Sequence, residues 1–289
     1  MSENTKYRSN ILFNHVKTRL SELFGENEAT SIAFLLFEKI FELKRAEILA
    51  GKSLKLFNKY CFEELENFTN RLLDHEPIQY ILQEAYFYNW TFFVSPSVLI
   101  PRPETEELVH LVLKENVNLT NPKILDIGTG SGCIAISLAK ERQDAEVHAL
   151  DISKEALEVA RQNAQKIGAK IYFSQADILS GYLDAGGFDI LISNPPYVLQ
   201  KEKSTMAAHV LDHEPHKALF VPDNDPLKFY KAIVTFSKSK LKPNGKIYFE
   251  INEQFPEETK KLMEENGFVE TEIVKDLNGK CRIAKGVKV

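Results

Sequence analysis

Lys123-Ile124-Leu125-Asp126-Ile127-Gly128-Thr129-Gly130-Ser131-Gly132-Cys133 is the stretch whose reading decides the fold. Its first five residues have the apolar composition of a buried strand. Three glycines at alternate positions then let the chain turn tightly and let a ligand approach the backbone. A helical pattern over residues 134–140 follows, so a helix N-terminus presents free N–H groups to whatever lies in the loop. The lysine of a phosphate-cradling loop is absent at the required spacing, which argues against nucleoside triphosphate chemistry. The Gly-x-Gly-x-Gly spacing also departs from the dinucleotide fingerprint.

Working outward, strand and helix patterns alternate. Strands are predicted over 123–127, 146–150, 170–173, 188–192 and 246–251, with helices over 134–140, 154–167 and 227–241. Such alternation gives a parallel sheet covered on both faces. The helix over 154–167 has Ser153 as its N-cap, a core face of Leu157, Ala160, Ala164 and Ile167, and Gly168 as its stop. Two further strands, 269–275 and 282–287, flank an Asn278-Gly279 turn, so the last strand is expected to run antiparallel.

The N-terminal part differs. Residues 1–76 carry helical spacings (Leu12, Val16, Leu20, Leu23; then Ile32, Leu35, Leu36, Ile40, Leu43) broken at Gly25, and read as a small bundle for structure or partner docking. Residues 77–104 hold an aromatic, β-branched run with a hairpin turn near Tyr88-Asn89, then a connector stiffened by Pro96, Pro101 and Pro103. Residues 105–289 form the α/β part. The chain has 289 residues, a formal net charge of -5 and three scattered cysteines (Cys61, Cys133, Cys281). This balance argues against a broad nucleic-acid surface, a disulfide framework or a thiolate zinc site. Met1 to Lys6 open no apolar leader and no run is long enough for a membrane helix, so a cytoplasmic location is expected.

The second informative stretch follows the strand over 188–192: Ser193-Asn194-Pro195-Pro196-Tyr197. Two prolines make the chain stiff and extended where it leaves the strand. Asn194 offers a carbonyl acceptor and an NH2 donor, Pro195 a carbonyl with no N–H, and Tyr197 a flat face. This cup suits a planar group carrying an NH2, either a carboxamide or the exocyclic amine of a base. Asp151 ends the second strand, where an acid holds ribose hydroxyls, and Asp177 follows the third, placed for an adenine amino group. Loop, acids and cup all lie at the C-terminal ends of strands, the edge where open α/β sheets bind ligands.

Together these motifs resemble a class I S-adenosylmethionine (AdoMet) methyltransferase. The fold expected is therefore a Rossmann-like seven-stranded sheet with a small all-helical N-terminal domain and a β-hairpin linker. Ile100-Pro101-Arg102-Pro103-Glu104-Thr105-Glu106, Asp126 to Gly132, Ser193 to Tyr197, Glu214-Pro215 and Ala218-Leu219 narrow the resemblance to the PrmC/HemK family, which methylates the glutamine amide of peptide chain release factors. It covers essentially the whole chain. Departures are Gln83-Glu84-Ala85, where a glycine is expected, and Val221-Pro222 and Asp225-Pro226 in the 198–226 loop.

The resemblance implies roles for named positions. Gly128, Thr129, Gly130, Ser131 and Gly132 would wrap the amino-acid end of AdoMet, Asp151 the ribose, and Asp177 with Ile178 the adenine. The Asn194 side chain would also border the cofactor. Asn194 and Pro195 carbonyls would accept both N–H bonds of the target amide, with Pro196 shaping the cup and Tyr197 packing on the face. No general base is needed, because the methylated nitrogen becomes acidic enough to lose its proton to water. Residues 1–76 would dock the substrate. The partner implied is a release factor, with no membrane, no direct nucleic-acid contact and a monomeric state. Base methylation, a ribosomal-protein glutamine and a non-catalytic AdoMet-binding scaffold are the alternatives. His209, His213 and His216 resemble zinc-ligand spacing only loosely, and no metal is assigned. Arg102 and Glu104 are expected either to pair across the connector or to be solvated.

Overall fold

The computed structural model describes residues 8–180 and 184–289; Met1 to Lys6, read above for a leader, lie outside them. Contacts divide the chain into two compact units. One comprises the chain up to Leu82 together with Ala208–His213, and the other comprises Gln83–Ala207 with Glu214–Val289.

The smaller unit contains α1 (Ser9–Phe41), α2 (Arg45–Leu49), α3 (Lys59–Leu73) and α4 (Ile78–Leu82). The glycine expected to end the first helix does interrupt α1: Gly25 has φ 73° and ψ 164°, outside the helical region. Phe13, Val16 and Leu20 before the break and Ile32, Leu36, Phe37 and Ile40 after it share one core with Leu65 and Leu72 of α3.

The larger unit starts with the hairpin β1 (Glu84–Phe87) and β2 (Trp90–Phe93). Tyr88 and Asn89 form its two-residue turn, both at positive φ (45° and 71°), as a turn matched to strand twist requires. After α5 (Pro103–Glu115) come β3 (Lys123–Ile127), α6 (Cys133–Glu141), β4 (Glu146–Asp151), α7 (Lys154–Ile167), β5 (Ile171–Gln175) and β6 (Phe188–Ser193). A short parallel pair, β7 (Val198–Leu199) and β8 (Phe220–Val221), brackets α8 (Ala208–His213), which belongs to the smaller unit, and α9 (His216–Leu219). The chain closes with α10 (Lys228–Lys240), β9 (Leu241–Glu250), α11 (Pro256–Glu265), β10 (Phe268–Lys275) and β11 (Cys281–Lys288).

Seven strands form one sheet in the order β10-β11-β9-β6-β3-β4-β5. The five from β9 to β5 run parallel, and the last strand, β11, runs antiparallel to both its neighbours, β9 and β10, as the Asn278-Gly279 turn led us to expect. Alternate residues fill the two faces. Ile124, Ile190, Ile192 and Tyr248 enter one core; Leu125, Ile127, Leu191, Ile247 and Phe249 enter the other. Burial on both faces is why the central strands read as continuous apolar runs. From β3 the chain builds outward to β4 and β5, then returns to place β6 on the other side of β3. That reversal opens a crevice at the C-terminal ends of β3 and β6, the position where such sheets bind ligands. Among the described residues, no helix is long and apolar enough to cross a membrane.

Candidate active site

The β3–β4 side of the crevice is organised around two carboxylates. Gly128 N–H and Thr129 N–H donate to the Leu150 carbonyl at 2.8 and 3.0 Å, and Gly130 N–H donates to Asp151 Oδ2 at 2.9 Å. Asp151 Oδ1 accepts Ser153 N–H at 2.9 Å, and the Ser153 hydroxyl caps α7 by accepting Ala156 N–H at 3.0 Å. The Asp151 carboxyl is raised above the usual range by burial, an effect opposed by the Ser153 and Gly130 N–H groups. The loop glycines occupy φ values of 77°, 54° and 82° at Gly128, Gly130 and Gly132. A Cβ at Gly128 or Gly130 would meet nothing within 4 Å, whereas one at Gly132 would lie 2.9 Å from Ile136 Cδ1 and 3.1 Å from Ala160 Cβ. The first two glycines therefore face open space, and the third permits loop-to-helix packing.

Asp126 lies beneath this loop and is fully buried. The Thr129 hydroxyl donates to its Oδ2 at 2.6 Å, while Oδ1 has no hydrogen-bond partner among the protein atoms. Burial pushes its carboxyl up to about 7, the Thr129 bond opposes the rise, and Asp151 adds to it. Ser131 Oγ is a second buried polar atom without a partner. Two carboxylates with no cationic partner among the described residues, next to open space over two glycines, fit a ligand that is itself positively charged. AdoMet, with its sulfonium and ammonium groups, meets that description.

Asp151 pairs in register with Gln175, the last residue of β5, and Asp177 follows two residues later. Asp177 Oδ1 accepts Leu179 N–H at 2.9 Å, closing the short turn that Ile178 begins. Ile178 packs against the core on the Leu125 face of the sheet, together with Tyr197.

On the β6 side, Asn194, Pro195 and Tyr197 line a small cavity with Leu99, Arg102 and Leu219. The Asn194 Nδ2 donates to Thr105 Oγ1 at 3.2 Å, and the Thr105 hydroxyl donates to Glu250 Oε2 at 2.6 Å. The Tyr197 hydroxyl donates to Glu250 Oε1 at 3.0 Å, and Asn252 Nδ2 donates to the Tyr197 carbonyl at 3.1 Å. Glu250 is 1% exposed. Its carboxyl is raised by burial, against the pull of the two hydroxyl bonds and Arg282. Burial and the neighbouring Glu250 charge raise the Tyr197 phenol, which stays protonated and serves as a donor.

Thr105, Glu250 and Asn252 were not singled out from the sequence. Thr105 was visible only as part of the Arg-Pro-Glu-Thr-Glu motif, and Glu250 only as a polar residue at the end of an apolar strand. The partner of Arg102 also differs from expectation. Arg102 Nη2 bonds Glu214 Oε1 at 2.5 Å rather than Glu104, and Glu214 Oε2 accepts Ile100 N–H at 3.2 Å. The Glu214 side chain is fully buried, so the guanidinium goes to the carboxylate that water does not reach. His209 and His213 lie on α8 and His216 opens α9; among the described residues, no group of three or more His, Cys, Asp or Glu is placed to hold a metal ion.

Comparison with known proteins gives the family and the fold. The family model for the methyltransferase small domain matches residues 105–223. A release factor glutamine methyltransferase from Bacteroides thetaiotaomicron is 44% identical over 271 residues, covering 93% of this chain and 96% of that protein. One from Flavobacterium psychrophilum is 44% identical over 269 residues, covering 92% and 94%. Among solved structures, a methyltransferase from Pyrococcus furiosus shares the fold with a TM-score of 0.52 at 18% identity, covering 77% of this chain and 98% of that one. The identity to curated relatives extends over nearly the whole length of both chains, through the helical unit as well as the sheet. The chain belongs to the release factor glutamine methyltransferase family.

Proposed function

We propose that this protein transfers a methyl group from AdoMet to the side-chain amide nitrogen of the glutamine in the Gly-Gly-Gln motif of peptide chain release factors. The observation that carries this reading is the Asn194 amide. Its NH2 is engaged by Thr105, so its Oδ1, together with the Pro195 carbonyl, is the acceptor left for a substrate N–H. The family assignment supplies the protein substrate.

AdoMet, when bound, supplies an electrophilic methyl group on a sulfonium. The chain's own part is positional. An amide nitrogen is a weak nucleophile because its lone pair is shared with the carbonyl. Two carbonyl acceptors hold its two hydrogens, fix the nitrogen in place and raise its electron density, so alignment accounts for much of the rate. The Tyr197 ring, braced at its hydroxyl by Glu250 and at its carbonyl by Asn252, walls one side of the cup. The methylated nitrogen is acidic and gives its proton to water, so no buried base is required. Asp151 and Asp177 would hold the nucleoside end, and Asp126 would complement the charge at the amino-acid end. A cytoplasmic monomer that docks its protein substrate through residues 1–76, joined by 77–104 to a methyltransferase domain at 105–289, accompanies this reading; the net charge of -5 supports a protein over a nucleic-acid substrate.

The test is label transfer from labelled AdoMet to purified release factor and, in parallel, to bulk nucleic acid. The expected result is label on the release factor that disappears when the Gly-Gly-Gln glutamine is replaced. Label on nucleic acid alone would overturn the substrate while leaving the acceptor cup in place.

A further inference from the structure

The Asn194 amide has two ends of nearly equal shape and opposite function. Only the carbonyl end accepts an N–H; the NH2 end, turned the same way, would set donor against donor and repel the target amide. Something must select the orientation. We propose that Thr105 is a positioning residue, itself oriented by Glu250, that fixes the Asn194 amide with Oδ1 toward the substrate. The inference rests on the reading of Asn194 as an acceptor for the target amide.

The selection follows from hydrogen-bond polarity. A carboxylate only accepts. Glu250 takes one donor on each oxygen: the Thr105 hydroxyl on Oε2 at 2.6 Å and the Tyr197 hydroxyl on Oε1 at 3.0 Å. The single hydroxyl proton of Thr105 is therefore committed to Glu250. What Thr105 Oγ1 shows to Asn194 is a lone pair, and only the Nδ2 end of Asn194 can meet it, at 3.2 Å. Thr105 is 2% exposed and Glu250 1%, so water does not compete for either group. The Tyr230 hydroxyl donates to the Glu250 carbonyl at 3.1 Å and holds the strand end from which the carboxylate projects. The chain Asn194–Thr105–Glu250 thus has one direction. Its bonds reinforce one another and increase the negative character of the Asn194 Oδ1.

The geometry also gives a second role to the buried carboxylate that braces the Tyr197 hydroxyl. Glu250 sits at the end of β9, next to β6 in the sheet, and Thr105 sits in the first turn of α5. Thr105 bonds both Asn194 and Glu250, so the two residues form one continuous link to the amide they would orient.

The experiment compares Thr105→Val, Thr105→Ser, Glu250→Met and Asn194→Ala at saturating AdoMet and release factor. In Thr105→Val, kcat is expected to fall roughly 10- to 100-fold, as for a misplaced reacting group, with the AdoMet Kd unchanged within about threefold. Thr105→Ser restores the hydroxyl and is expected to restore kcat to within about threefold of the parent, which a role in packing alone would not predict. Glu250→Met leaves the Thr105 proton uncommitted and is expected to lower kcat in the same way. Thr105→Val with parental kcat, while Asn194→Ala is inactive, overturns this inference alone. Thr105→Ser as slow as Thr105→Val also overturns it, in favour of methyl packing. Parental kcat in a folded Glu250→Met, with Thr105→Val slow, removes Glu250 from the proposal. An active Asn194→Ala overturns the acceptor reading and this inference with it.

Discussion

The two sides of the crevice are built differently. On the β3–β4 side the contacts are local in sequence: Thr129 bonds Asp126 three residues away, Ser153 bonds Asp151 two away, and Gly130 reaches Asp151 across 21. On the β6–β9 side they are long-range: Asn194 to Thr105 spans 89 residues, Tyr197 to Glu250 spans 53, and Thr105 to Glu250 spans 145. A site for a cofactor can be made by one strand–loop–helix unit and its neighbour. A site that orients a weak nucleophile needs donors and acceptors converging from several strands. The difference implies separable functions: changes on the first side should act on cofactor affinity and changes on the second on turnover.

The largest expected effect tests the second side. Asn194→Ala should lower kcat by roughly 10²- to 10³-fold, the scale of losing one preorganised polar contact in an active site. The AdoMet Kd, measured by titration calorimetry, should change only moderately. An AdoMet affinity that collapsed in step with turnover would erase the distinction between the two sides.

The next effect belongs to Asp126. Its folded-state carboxyl titrates at about 7 against an ordinary value of 3.8. Between these two values the folded protein holds a proton that the unfolded chain has released. The unfolding free energy should therefore fall as pH rises from about 4 to about 7, by on the order of a few kcal/mol. Denaturant titrations of the ligand-free protein across that range check the slope, and Asp126→Asn should flatten it. Ligand binding gives the complementary sign: AdoMet affinity should rise with pH through the same window as the carboxylate forms.

Asp151→Ala should raise the AdoMet Kd by roughly 10- to 100-fold, the equivalent of a charge-assisted hydrogen bond. At saturating AdoMet its kcat should stay within about threefold of the parent. A kcat defect that saturation does not rescue would place Asp151 in the second group. The smallest effect sharpens the comparison. Ser153→Ala removes the N-cap of α7 while leaving the backbone N–H that Asp151 accepts. It should cost about 1 kcal/mol of stability in chemical denaturation, with kcat unaltered.

How much of this was legible in the sequence follows the same division. Residues 123–133 gave strand, loop and helix because each signal lies within a few residues of the next. The Tyr88-Asn89 and Asn278-Gly279 turns were legible because turn chemistry is local. The stiff exit from β6 at Asn194-Pro195-Pro196-Tyr197, proposed as the acceptor cup, was legible because its two prolines fix backbone geometry without outside help. Its anchors were not found. Nothing near Glu250 in the chain distinguishes a strand-end glutamate in water from one that accepts two buried hydroxyls. Arg102 had Glu104 two residues away and took Glu214, 112 residues distant, because only the latter is buried.

The sequence by itself determined the α/β sheet with its antiparallel last strand, the glycine loop and the stiff proline turn that leaves β6. These depend on hydrophobic periodicity and on residues whose backbone preferences are intrinsic. The tertiary structure alone decided which carboxylate each donor reaches, which polar atoms stay unpartnered beneath the loop, and which way the Asn194 amide faces. Those outcomes depend on burial and on distances between strands that meet only after folding, where removal of water turns a choice between two hydrogen-bond partners into a difference of kilocalories.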